Sequence, residues 1–358
     1  MKKYLSLLTI SAITLFFVSC EKDDAPFIET PVVTKGLYIL GEGGYGSNNT
    51  TLTYYDLTTS TAVTDFYKNV NGSSLGDTGN DMIIYGGKIY IVMNGSSYVA
   101  VANAFTGKQI DTVSFRSAGG GAVWQPRFAV GYKNKVYVSN FNGTVSVIDT
   151  TSLKVENNIT VGTNPEKLAV VGSSLYVVNS GMGADSTVSV IDLNTHTEVK
   201  KIVVGINPFD IAANSAGDIY VTTRSLWNNA AYKPQISVID SKTNTVKATL
   251  DHNISAVAIE IANDTAYLYG GYASTPNVIS LLDTKTNNQI KSSFVTDGST
   301  VKDPYGLSVD PTNGDVYVLD ANGYVSAGIV YCFDKAGKKK FSFSITPGLN
   351  PNKLVFIQ

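Results

Sequence analysis

Cysteine, histidine and tryptophan are scarce in this 358-residue chain, at two copies each, and charged residues make up only 16 % of it. Each shortage excludes something. Cys20 and Cys332 lie more than three hundred residues apart, which leaves no disulfide framework and no cysteine-based metal cluster. His196 and His252 have no second histidine or carboxylate at metal-ligand spacing, and both read as surface residues in short turns. Lysine and arginine form no long run. Nucleic acid is therefore disfavoured as the main partner, because phosphate binding needs clustered cations. Gly119-Gly120-Gly121 is followed by Ala122, Val123 and Trp124 with no lysine, so it makes no phosphate loop, and no Gly-x-Ser-x-Gly elbow stands at a strand-to-helix turn. The run from Asp310 to Asp315 opens like a calcium loop but lacks the distal glutamate; it reads better as a tight turn.

Long apolar runs are also missing, with one exception. Tyr4 to Val18 is broken only by serine and threonine and follows Lys2-Lys3. It is too short to be read as a spanning helix and has the charge and flank of a signal peptide. Ser19-Cys20 closes it in the manner of a bacterial lipobox, so residues 1–19 are expected to be removed and Cys20 lipidated. Several acyl chains on one residue would hold the protein firmly to a leaflet. Glu21-Lys22-Asp23-Asp24 follows and resembles an outward export signal of Gram-negative lipoproteins. The expected location is the outer membrane, lipid-anchored and facing out, with residues 20–33 as a tether. Losing Lys2 and Lys3 with the signal leaves 25 cations against 29 anions, a net charge of about −4.

What is abundant is tyrosine, at 21 copies, and glycine, at 32, and the tyrosines recur. An apolar-Tyr-apolar strand appears seven times, around Tyr38, Tyr90, Tyr137, Tyr176, Tyr220, Tyr267 and Tyr317, at spacings of 39 to 52 residues. A second alternating strand closing on Asp or Asn also appears seven times, as in Val145–Asp149 and Val188–Asp192. A third is led by proline at Pro126, Pro165, Pro208, Pro304 and Pro351, with two copies lacking the proline, near Asn80 and Ala256. A fourth follows each Asp, for example Glu198–Val203. Period-two alternation over four to six residues means half-buried strands, and four strands repeated seven times at this period describe propeller blades. The fold class is all-β: a seven-bladed β-propeller of four-stranded antiparallel blades over residues 34–358.

The two ends complement each other. Pro351–Phe356 is a first strand with no blade after it, and Leu37–Ile39 is a second strand with no first strand before it. Pairing them closes the ring and removes two open edges.

With strands named A to D outward from the axis, the A–B and C–D turns share one face and are short. The B–C and D–A loops share the other face and are long. Tyr45, Tyr67, Tyr98, Trp124, Phe141, Trp227, Tyr232, Tyr272 and Tyr324 fall there. Aromatics among Gly, Ser and Asn make a contact surface at low ordering cost, and functional residues concentrate on loops held by a rigid scaffold. The ligand-binding candidates are Tyr45, Tyr98, Trp124, Arg127, Phe141, Trp227, Tyr232, Tyr272 and Tyr305. Asp81, Arg127, Glu166, Lys167, Asp210 and Asp303 stand at or beside the starts of A strands, near the axis. Such groups can do acid–base work, but more often they orient a ligand. No catalytic residue, metal ligand or cofactor is assigned, and the chain is expected not to be an enzyme.

Asn164–Val170, Leu175–Gly181 and Thr187–Asp192 give the chain a resemblance to YncE-like seven-bladed propellers over nearly all of its mature length. The lipobox with its acidic tail, Asn80-Asp81-Met82 and Asp303–Leu307 further resemble BtuG-type surface lipoproteins. That resemblance implies capture of cobalamin, or a related corrinoid, for a TonB-dependent outer-membrane transporter. No short motif carries the contact residues over. A surface glycan- or peptide-binding propeller, or an interaction scaffold, uses the same face and stays open as an alternative.

Overall fold

A computed structural model describes residues 33–117, 121–229, 231–250, 257–270 and 278–358. The signal peptide, Cys20, nearly all of the tether, Tyr272 and His252 lie outside the described residues.

Seven four-stranded antiparallel sheets follow one another, each in the order A-B-C-D. Blade 4 is representative: Pro165–Val171, Ser174–Asn179, Thr187–Asp192 and Thr197–Val203. Its B strand is buried on both faces, its D strand mostly exposed. Each interface between neighbouring blades is one hydrophobic cluster. Tyr176, Val178, Val188 and Val190 of blade 4, for instance, meet Ile211, Ile219 and Val221 of blade 5. A strand packed between two sheets reads as a continuous apolar run; the D strand at the rim has only one buried face.

The recurrent Asp and Tyr have definite tasks. The Asp ending strand C turns its carboxylate back to accept backbone N–H groups two and three residues on, as Asp149 does from Thr151 at 3.0 Å and Ser152 at 2.7 Å. That Asx geometry shapes the C–D turn. In blades 3, 4 and 5 the Tyr of strand B reaches across to the C–D turn of the next blade. Tyr220 donates to the Thr284 carbonyl at 2.7 Å and to Asn287 Oδ1 at 2.6 Å, and Tyr176 donates to Asn244 Oδ1 at 2.5 Å. Tyr137 meets His196 Nε2 at 3.3 Å. His196, Asn244 and Asn287 hold equivalent left-handed turn positions, so His196 is a packing partner of the preceding blade as well as a turn residue.

The ring closes as the termini require. Pro351–Ile357 pairs with Gly36–Gly41, Leu354 opposite Ile39, and Lys35 N–H donates to the Ile357 carbonyl at 2.7 Å. The loop after the short D strand of blade 1 contains a helix, Phe66–Asn71. It buries Tyr67, and Phe66 packs against Tyr38 and Tyr54; this helix stands where the sequence reads only as loop.

Candidate ligand site at the axis

Strand A starts at the long-loop face and carries a recurrent irregularity. In six blades its register against strand B slips just past its first residue, at Gly79, Pro126, Pro165, Pro208, Pro304 and Pro351. Only the A strand of blade 6, Ala258–Ala262, pairs without a break. A bulge of this kind re-aims the side chains beside it. Here residues just past the bulges line a cavity of about 650 Å³ on the axis, within the size range of small-molecule sites.

The cavity lining carries both signs of charge, paired between neighbouring blades. Lys353 of blade 1 lies 3.5 Å from Asp81 of blade 2, and Lys167 of blade 4 lies 2.7 Å from Asp210 of blade 5. Arg127 of blade 3 meets Glu166 of blade 4 at 2.8 Å, also bonds Asn80 Oδ1, and sits 4.6 Å from the centre of the Phe141 ring. Asp81 and Asp210 also staple the blades: each accepts a backbone N–H from the next A strand, Ala129 at 2.9 Å and Ile259 at 3.2 Å. Charge-assisted bonds of this sort fix the lining in place.

Other lining residues come from the ends of B strands and from the long loops. Glu42 follows strand B of blade 1 and accepts a hydrogen bond from Tyr305 Oη at 2.6 Å. Arg224 follows strand B of blade 5 and lies over the Phe209 ring at 3.1 Å. Tyr305 and Tyr324 meet edge to face at 5.6 Å. Tyr269 and Glu260 of blade 6 complete the wall. Burial raises the Glu42 carboxyl above the usual range, against the Tyr305 bond and the pull of Arg127 and Arg224. Burial raises Glu260 too, opposed by Lys167 and Lys353. For Lys167 burial disfavours the charge, but Asp210 overcomes it and the ammonium is held above its ordinary value. Burial raises the phenols of Tyr269 and Tyr305, and the neighbouring Glu42 adds to the effect at Tyr305.

The sequence-predicted residues divide into three groups. Arg127 and Tyr305 line the cavity and Phe141 packs on Arg127; Asp81, Lys167, Asp210 and Asp303 also line it, with Glu166 behind Arg127. Tyr45 and Trp227 stand exposed, at 77 % and 91 %. Tyr98, Trp124 and Tyr232 turn back onto the fold. Tyr98 donates to the Leu75 carbonyl, Trp124 packs edge-on against Phe115, and Tyr232 donates to the Ile206 carbonyl at 2.9 Å. Sequence reasoning missed Glu42, Arg224, Glu260, Tyr269 and Lys353. Their one signal is position: Glu42, Arg224 and Tyr269 each end or follow a Tyr-containing B strand, where the chain returns to the axial mouth. No His/Cys/Asp/Glu group suited to a metal occurs among the described residues.

The comparisons with known proteins agree with this architecture. A quinoprotein alcohol dehydrogenase-like protein of Bacteroides thetaiotaomicron superposes with a TM-score of 0.66 at 15 % identity, over 90 % of this chain and 78 % of that one. Hydrazine synthase of Kuenenia stuttgartiensis superposes at 0.57 and 17 % identity, over 70 % and 74 %. At such identities the likeness is one of fold, and a propeller fold serves many functions. No curated protein matches the sequence. Residues 35–356 match the model of a domain of unknown function, DUF5074, and with the match spanning the whole propeller the chain belongs to that family.

Proposed function

We propose that this protein is a ligand-capture propeller, held at the outer face of the outer membrane by lipid on Cys20. Its ligand is cobalamin or a related corrinoid, passed to a TonB-dependent transporter. The axial cavity is the observation that carries the reading. It opens among the long loops, with the rings of Tyr305 and Tyr324 beside charged groups and the amides of Asn80 and Asn352. A flat amphipathic disc rimmed with amides can lie across such a mouth and send its amide arms inside. Three interblade ion pairs hold the lining in shape before a ligand arrives, which lowers the ordering cost of binding.

Calorimetry with cyanocobalamin tests the proposal. Binding is expected, weakened about tenfold or more by Tyr305→Ala, the loss of one well-packed aromatic contact. No heat and no red pigment retained on the immobilised protein would overturn it. A second reading draws on the exposure of Trp227 and Tyr45, which suits a flat platform for a glycan or peptide. A glycan array giving a signal that Trp227→Ala abolishes would favour that reading.

A further inference from the structure

The axial cavity has more acid than base around it. Five carboxylates line it against four cations, and Glu166 stands just behind Arg127 as a sixth. Arg127, Lys167 and Lys353 are each closed by a carboxylate at 2.8, 2.7 and 3.5 Å. Arg224 is stacked on Phe209. Glu42, Glu260 and Asp303 remain. Asp303 accepts the Gly323 N–H at 2.7 Å, and among the described residues neither glutamate has a cation within ion-pair distance. The Glu42 carboxyl accepts a hydrogen bond from Tyr305.

We propose that this cavity takes a positively charged group, an ammonium or amidinium borne on an apolar or aromatic body, between Glu42 at the mouth and Glu260 on the wall. Tyr269, Tyr305 and Tyr324 share the lining with these two carboxyls, and the faces of aromatic rings attract cations. Burial makes both carboxyls costly to ionise; an entering cation supplies the opposite charge that lowers this cost. An anion entering the same space would meet two carboxyls with no cation of their own. Lys167 and Lys353 could receive it only by leaving Asp210 and Asp81, stranding those nearly buried groups, and Arg224 would have to turn toward it from the neighbourhood of Glu42.

The inference rests on the axial cavity being the ligand site, but not on the ligand being a corrinoid. Its test uses three probes of one shape and different charge: tyramine, 4-ethylphenol and 4-hydroxyphenylacetate, titrated into the full propeller and followed by calorimetry. Tyramine is expected to bind about tenfold or more tighter than the acid, with the neutral phenol between, an order set by charge against rings and carboxyls. Glu260→Gln and Glu42→Gln should each compress that order, by weakening tyramine more than 4-ethylphenol. Glu42→Gln retains an acceptor for Tyr305, so it gives a reading even if the Glu260 variant folds poorly. Equal or tighter binding of the acid, or no binding by any probe, would overturn the inference. Failure of cyanocobalamin to bind while tyramine still binds would remove the corrinoid reading alone.

Discussion

At the scale of single residues, the repeated tyrosine is the most informative side chain in the molecule. All seven copies are buried, yet their hydroxyls differ. Tyr220 Oη donates to two acceptors on the next blade, whereas Tyr38 Oη is buried without a partner. Removing the hydroxyl of Tyr220 takes the donor from Asn287 Oδ1 and leaves the Thr284 carbonyl with Asn214 Nδ2 only, at a cost of about 1–3 kcal/mol. Removing that of Tyr38 relieves an unsatisfied polar atom, and the change should be near neutral or stabilising. Tyr220→Phe should therefore unfold at lower urea than the parent and Tyr38→Phe at the same or higher urea; the reverse order would refute this account. The recurrence of these tyrosines was legible from the sequence, since it is a spacing. Which hydroxyl finds a partner was not, because the partner belongs to a turn about sixty residues away whose approach is set by the packing of two blades. The same reason hid the fate of Tyr98, Trp124 and Tyr232. Loop aromatics look alike in sequence, and only their surroundings decide whether a ring turns down or out.

At the scale of elements, the turn chemistry was legible and the bulges were not. An Asp at the end of strand C announces its Asx turn locally. The slip just past the first residue of strand A depends on strand B and the neighbouring blade, and it brings Asp81, Arg127, Lys167 and Asp210 to one cavity. The loops between blades use the same carboxylate chemistry. Asp297, in the loop leading from blade 6 to blade 7, accepts from Ser299 N–H at 2.9 Å and from Lys339 N–H at 2.7 Å, at the start of the long D strand Lys339–Leu349 of blade 7. These bonds hold its carboxyl down to about 2, from 3.8. A group whose pKa is lower in the folded state stabilises above its unfolded value and loses that contribution as pH falls through the folded value. Asp297→Ala should therefore melt below the parent at pH 7, and the gap should close between about pH 4 and pH 2. Other carboxylates titrate alike in both proteins, so the difference reports this site. A gap unchanged at pH 2 would assign the loss to something other than ionisation.

At the scale of the whole molecule, closure is the feature that the sequence showed most completely. An A strand without a blade and a blade without an A strand could be matched on pattern alone, and the register now pairs Leu37 with Phe356 and Ile39 with Leu354. The clasp does two things at once. It completes the sheet of blade 1, and its backbone joins blade 7 to blade 1 where side-chain packing of Tyr317, Leu319 and Val330 against Leu37, Tyr55 and Leu354 would otherwise act alone. Two variants separate these roles. Deleting Pro351–Ile357 exposes the inner edge of Gly36–Gly41 and strips Leu354 from the core, so no cooperatively folded protein is expected. Moving residues 350–358 ahead of residue 34 through a short linker keeps every blade complete, since Lys35 already bonds Ile357, and removes only the covalent join between the last blade and the first. That permuted chain should fold with the far-ultraviolet spectrum of the parent and a lower melting midpoint. The difference measures the join by itself, because the strand and its contacts are retained. A permuted chain as stable as the parent would mean that the strand matters for its sheet and not for joining the ring; a truncated chain that still melts cooperatively would mean that the seventh interface holds without either.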